Sequence, residues 1–160
     1  MEIRVIDFGI VTSHYINYFN GVKEINAEKE EFLKKMEPLK NQMNQIISAA
    51  TNGLILDTKT QQQKAEEFQQ IQRDAVEIEK EFQYKIKNMT TELNEKSYEE
   101  LEVIVTEWAE KNSIDLVTGK MEVIFSNSKY DATNDILEVL KEKDLFVEKE
   151  NVEEKEKESV

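Results

Sequence analysis

The chain has 160 residues, of which 34% are charged and 39% hydrophobic; 34 acidic side chains against 21 basic ones give a net charge of -13. So acidic a chain, with no basic patch able to release counterions, excludes a nucleic-acid backbone or an anionic membrane as the main partner. Cysteine is absent, which removes disulfides and thiolate chemistry, and no apolar run approaches the roughly eighteen residues of a transmembrane helix.

A mean hydropathy of -0.65 leaves little material for a broad core, so an elongated or self-associating protein is expected. Only four Gly and one Pro occur, as in chains of long helices. The first element, Glu2 to Phe8 (EIRVIDF), is rich in β-branched residues and predicts a strand closed by Gly9. From Val11 the period changes. Val11, Tyr15, Tyr18, Val22, Ile25, Phe32, Met36, Leu39, Met43, Ile46 and Ala50 repeat at four-three spacing, broken only by Lys29, and predict a coiled-coil helix. Pro38 stands beside this seam and predicts a bend, at a cost of about 3 kcal/mol. Asn52-Gly53 predicts the helix end, and Asp57 or Thr58 the cap of the next helix.

The second helix carries Ala65, Phe68, Ile71, Ala75, Ile78, Phe82, Ile86, Met89 and Leu93, then Leu101, Ile104 and Trp108, with a stutter between Phe82 and Ile86. Two seams joined by a short turn predict an antiparallel hairpin, roughly 60 Å long at about 1.5 Å per residue. Beyond it, Ile114, Leu116, Val117, Val123, Ile124 and Phe125 flank Gly119-Lys120 and predict a β-hairpin with a II′ turn. Asp131 or Thr133 can cap a short helix with Ile136, Leu137 and Leu140 on its apolar face. The remaining stretch mixes charges without a period and predicts a solvated, disordered tail.

The expected organisation is mostly α with a small β body. Residues 1–10 and 112–143 form a β-rich oligomerisation body with a short helix; residues 11–111 form the coiled-coil hairpin with its tip near 51–58; residues 144–160 form the tail. About fifty residues of body is near the size at which a core needs outside help, and open strand edges invite pairing with copies. The candidate oligomerisation residues are Ile3, Val5, Ile114, Leu116, Val117, Val123 and Phe125. A closed ring of sheets from several chains would remove the edges.

Catalysis has little to stand on. His14 is the only histidine and has no nucleophile and base pair beside it, so a packing or surface role is expected. Gly9, Gly21, Gly53 and Gly119 make no phosphate loop, and the carboxylates follow helix surfaces rather than a calcium loop. Trp108 keeps register with Leu101 and Ile104 and reads as core. No catalytic residue, metal, cofactor or small-molecule substrate is predicted. Binding is another matter. Leu54, Ile55 and Leu56 are consecutive apolar residues at a turn, which either pack over the hairpin end or contact a partner. Met36, Met43 and Met89 hold seam positions, which favour core packing, yet thioethers adapt to many shapes and are candidate client contacts.

The order of strand, long helical hairpin, "IDLV", turn, apolar strand and "SNSKYDATNDILEVLK" resembles the Skp (OmpH-like) family of periplasmic chaperones over Ile3 to about Lys141. Its most specific part runs from Asn112 to Lys141, with the Asp-x-Thr-x-Asp-Ile-Leu run of Asp131 to Leu137. The resemblance implies a homotrimer with a β-barrel-like body and three helical tentacles around a cavity, jellyfish-like. It implies an ATP-independent holdase that binds unfolded proteins and shields them from aggregation. The chain departs from the family in being strongly acidic where many members are basic, and in lacking a leader as written. The expected location is therefore cytoplasmic, or periplasmic for a mature form whose leader has been removed. The alternative function is a coiled-coil assembly factor or spacer that docks one defined partner. A prefoldin-like chaperone fits less well, because prefoldin strands lie between its helices and here only about eight residues separate them.

Overall fold

The β-branched run Ile3–Ile6 forms strand β1 in the computed structural model, which describes residues 1–55 and 57–148. The strand is shorter than the expected Glu2 to Phe8, because Asp7 leaves it to cap helix α1 (Phe8–Ser13). Its carboxylate accepts from the Ile10 amide at 3.1 Å, which places Gly9 inside a helix rather than at a strand end. Then follow α2 (Ile16–Thr51), α3 (Thr58–Lys111), β2 (Leu116–Gly119), two 3-10 turns at Lys120–Glu122 and Ser128–Tyr130, and α4 (Thr133–Glu142).

Two compact units result: one from Met1–Lys23 together with Glu92–Val160, the other from Glu24–Thr91. The strand-bearing unit thus takes in more of both long helices than the expected boundaries at 10 and 112. Its core shows why. Val11 and Tyr15 from the start of the chain, and Leu101, Ile104 and Val105 from α3, pack with Ile6, Ala132, Ile136 and Leu140 in one buried cluster.

β1 pairs with β2 in parallel, from Ile3 opposite Leu116 to Ile6 opposite Gly119. Parallel neighbours cannot be joined by a tight turn, and here the crossover is the whole run of α1, α2 and α3. The other edge of β1 is held by Ala132, whose amide donates to the Val5 carbonyl at 2.9 Å. The Asp7 amide donates to Thr133 Oγ1 at 2.9 Å, and the Thr133 amide to Asp131 Oδ1 at 2.9 Å. The run Asp131 to Thr133 therefore both starts α4 and ties it to the β1–α1 junction. Asp131 does the capping work one residue before the formal cap, Ala132.

The expected β-hairpin about Gly119-Lys120 does not form. A II′ turn needs positive φ at its first central residue, whereas Gly119 has φ -73 and ψ 142 and opens a 3-10 turn. A 3-10 turn at Lys120–Glu122 takes the place of the two-residue turn, and among the described residues the stretch after it has no partner strand. Val123 is extended, with φ -116 and ψ 124, yet the sheet has two strands rather than three.

The expected single helix from Val11 is also divided, at His14 and Tyr15. There the chain is clasped by Leu145 to Val147: the Ile16 amide donates to the Leu145 carbonyl at 2.9 Å, and the Val147 amide to the His14 carbonyl at 2.8 Å. His14 Nδ1 donates to the Val147 carbonyl at 2.8 Å, and its ring stacks on Phe146 with centroids 5.0 Å apart. His14 is a packing residue. Residues 144–148, expected to belong to a disordered tail, are placed instead, with Leu145 and Phe146 packed against the core cluster; residues 149–160 of the expected tail lie outside the described residues.

In the second unit, α2 and α3 run antiparallel. Phe32 stacks on Phe82 with centroids 4.0 Å apart, and Lys85 meets Glu28 at 2.6 Å. Ile25 and Ile71 are buried, and the seam residues Met36, Leu39, Met43, Ile46, Phe68 and Ile78 are half-buried, as two facing stripes require. Pro38 lies inside α2, which continues unbroken to Thr51. α2 ends on Gly53, whose φ of +65 allows the Leu54 amide to reach the Ala49 carbonyl at 3.1 Å.

Candidate functional site

Two stripes of side chains cover one face of each helix and no more, and in the second unit the uncovered flanks form clefts. The first, of 760 Å³, is lined by Leu33, Met36, Leu39, Met43 and Ile47 of α2 with Ala75 of α3. A second, of 540 Å³, lies toward the turn among Ile46, Ile47, Ala50, Ile55, Ala65 and Phe68. A third, of 1050 Å³, is lined by Met43, Ala75 and Val76, by Gln69 and Gln72, and by the charged Arg73, Glu77, Lys80 and Glu81. The hollows arise where alanine faces larger neighbours: Ala50, Ala65 and Ala75 leave the space that a leucine would fill.

The residues expected to meet clients divide. Met36 and Met43 come together in the first cleft. Ile55 lines the second, while Leu54 stands 75% exposed at the turn. Leu56 lies outside the described residues. Met89 is half-buried on the α3 seam and lines none of these clefts. Leu33, Ile47 and Val76, about half exposed or more, are the residues that sequence reading missed. They lie off the seam, and only their apolar character among polar neighbours signals them. At the turn, Asp57 starts α3 by accepting from the Thr60 amide at 2.8 Å. The hydrogen bonds from Thr60 hold its carboxyl below the usual range.

The strand-bearing unit presents a different surface. Of the residues expected to join chains, Val5 is buried within its own chain, and Ile3, Ile114, Val117 and Val123 are half-buried. Leu116 is half exposed and Phe125 is 81% exposed. Met121 and Ile124 are bare to solvent. Ile124, at a bend, and Phe125 are consecutive apolar residues that nothing covers among the described residues. Among the described residues no group of His, Asp and Glu could hold a metal ion, and no helix is long and apolar enough to cross a membrane.

The chain is thus mostly helical, with an antiparallel helix pair bordered by apolar clefts in one unit and a small parallel β ladder in the other. The family model described as outer membrane protein (OmpH-like) matches residues 2–140, and the chain belongs to that family. The fold agrees with a crystal structure from Caulobacter crescentus CB15, an OmpH-like protein provisionally called an outer membrane chaperone. The two share 12% identity and a TM-score of 0.64, over 91% of this chain and 87% of that one. Among curated proteins none matches the chain. The family consists of chaperones rather than enzymes, and at that level the non-enzymatic expectation agrees. The cytoplasmic location expected from the leaderless start is overturned by the same match, since the family is one of periplasmic and outer-membrane chaperones. Where the sequence begins carries no information on compartment.

Proposed function

We propose that the chain is an ATP-independent holdase that keeps unfolded proteins from aggregating, acting as a homotrimer with one helical hairpin contributed by each copy. The observation that carries this reading is the run of apolar clefts along α2 and α3, lined by Met36, Met43, Leu33 and Ile47. A soluble helix pair that served only as a spacer would cover such residues or replace them with polar ones. Many shallow contacts, repeated over several hairpins, hold a client without a tight pocket, because linked weak sites raise the effective concentration of the next contact. The uncovered Ile124 and Phe125 supply the apolar edge through which copies would join and seal their strands. The test is aggregation of denatured, diluted clients followed by light scattering without nucleotide. Equimolar trimer is expected to delay it, for acidic and basic clients alike. Unchanged aggregation of every client would end the holdase reading.

A further inference from the structure

The charge of this chain is not spread evenly. Residues 24–91, the helix-pair unit, hold 12 acidic and 10 basic side chains, a net of -2 out of the total of -13. Residues 92–160 hold 20 acidic and 9 basic ones, a net of -11, and residues 1–23 are balanced. Glutamine is distributed in the opposite sense: all nine glutamines lie between residues 42 and 83. Three of them, Gln61, Gln69 and Gln72, line the clefts beside Ile47, Phe68 and Val76. The rim of the α2 cleft pairs Glu30 and Glu37 with Lys34 and Lys40, so its charges cancel.

We infer that the clefts of the helix pair take uncharged, apolar-rich stretches of unfolded polypeptide, recognised by their side chains and by their backbone amides, with no selection for client charge. This rests on the holdase reading and names the class of segment bound. A primary amide offers one acceptor and two donors, the same groups that an unfolded backbone leaves unpaired, and it does so at no cost in ion desolvation. Leu33, Met36, Met43 and Ile47 supply the apolar surface for the client's side chains. The charges on the glutamine-bearing clefts also cancel, Arg73 and Lys80 against Glu77 and Glu81, and Lys64 against Glu67, so the net pull on a charged ligand is small and salt should compete little with an uncharged one. The excess of carboxylates sits in the other part of the sequence, where it keeps the assembly soluble and self-repelling.

Anisotropy of fluorescein-labelled peptides with the full chain tests this, using one uncharged apolar peptide and versions of it carrying interspersed Lys or Glu. The affinity for the uncharged peptide should change by less than about twofold between about 0.05 and about 0.5 M NaCl. Leu33→Ala with Ile47→Ala, two exposed positions kept helical, should weaken it about fivefold or more. Gln69→Glu with Gln72→Glu should weaken the uncharged peptide and create a salt-sensitive preference for the Lys version. Helix content and solution mass of each variant establish that it is folded and assembled as the parent is. Preference of the parent protein for the Lys peptide, lost about tenfold or more over the same salt range, would overturn the inference and move client contact to the acidic residues, with aggregation suppression intact. Failure of the parent chain both to bind any peptide and to suppress aggregation would overturn the holdase reading, and this with it.

Discussion

Three helix ends in this chain close in the same way, with one residue in the left-handed region and an amide reaching back five residues. At Gly53 the arrangement is legible in advance, because glycine takes positive φ without strain. Ser113 and Asp144, both at φ 56, do the same after α3 and α4, with Ile114 donating to Ala109 at 2.9 Å and Leu145 to Leu140 at 2.8 Å. Serine announces no left-handed position, and Asp, though among the side chains that tolerate one, does so too weakly to mark a helix stop alone. Ser113→Gly and Asp144→Gly should therefore each stabilise the chain by up to about 1 kcal/mol, measured by urea denaturation. A loss in both would mean that the side chains contribute more than the backbone strain costs. Tyr15 carries a second prediction at this scale. Its hydroxyl donates to Glu100 at 2.5 Å, and the Asn17 amide donates to both, at 2.9 and 3.0 Å. Burial, then the hydrogen bond to Glu100 and the charge of that carboxylate, push the Tyr15 phenol up to about 12. Tyr15 and Asn17 in turn hold the Glu100 carboxyl below its ordinary range. A raised phenol favours the fold fully below its unfolded value near 10, and this advantage is lost between 10 and 12, where the unfolded chain ionises first. The depressed Glu100 works the other way, contributing above its ordinary value and losing its effect as pH falls through the folded one. Tyr15→Phe should thus abolish about 2 kcal/mol of the stability loss seen between pH 10 and 12. Identical alkaline profiles for the two proteins would assign that loss to other tyrosines.

At Gly21 of α2 the Leu93 side chain of α3 fills the space that a larger residue would need. A Cβ there would lie 2.3 Å from one Leu93 methyl and 3.1 Å from Leu93 Cγ. Glycine in a helix interior otherwise costs about 1 kcal/mol relative to alanine, so its retention at this contact has a steric reason. Gly21→Val should destabilise by about 2 kcal/mol through overpacking, and Leu93→Ala in the same chain should recover part of that, as a double-mutant cycle in denaturant would show. Additive losses would mean that the valine is accommodated elsewhere. The two seams were the most legible elements, since apolar periodicity sustained over many turns has few other solutions. One seam position escaped notice: Ser97, between Leu93 and Leu101, is 2% exposed, and a polar residue at that spacing does not register in a hydrophobic pattern. The β-hairpin misled for a different reason. "LVTGKMEVIF" satisfies the local rules of a two-residue turn, but Gly119 keeps a negative φ and opens a 3-10 turn, and Leu116–Gly119 pairs instead with Ile3–Ile6, more than a hundred residues away.

Of the proposed binding surface, sequence could show Met36 and Met43, because they repeat with the seam, but not the clefts they line. Those depend on where Ala50, Ala65 and Ala75 meet the opposite helix, which makes Leu33 and Ile47 part of one surface with Met36 and Met43. The exposed edge was legible as an apolar stretch and misjudged in its pairing, so its partner was placed inside the chain. That difference sharpens the test of self-association. A substitution at Val5 would unfold the chain, since Val5 is buried within it, and would report nothing about assembly. Ile124 touches solvent on all sides, so Ile124→Asp should leave helix content and the urea midpoint of a dilute, dissociated sample unchanged. In an assembled sample it would place an unpaired carboxylate in an apolar joint, a cost of several kcal/mol that should reduce the solution mass to that of one chain. Because multivalent holding needs several hairpins at once, the same variant should lose most of its suppression of aggregation while its single-site peptide affinity stays within about twofold of the parent. An unchanged mass would show that copies do not join through this edge; a lowered mass with full suppression would show that one hairpin suffices.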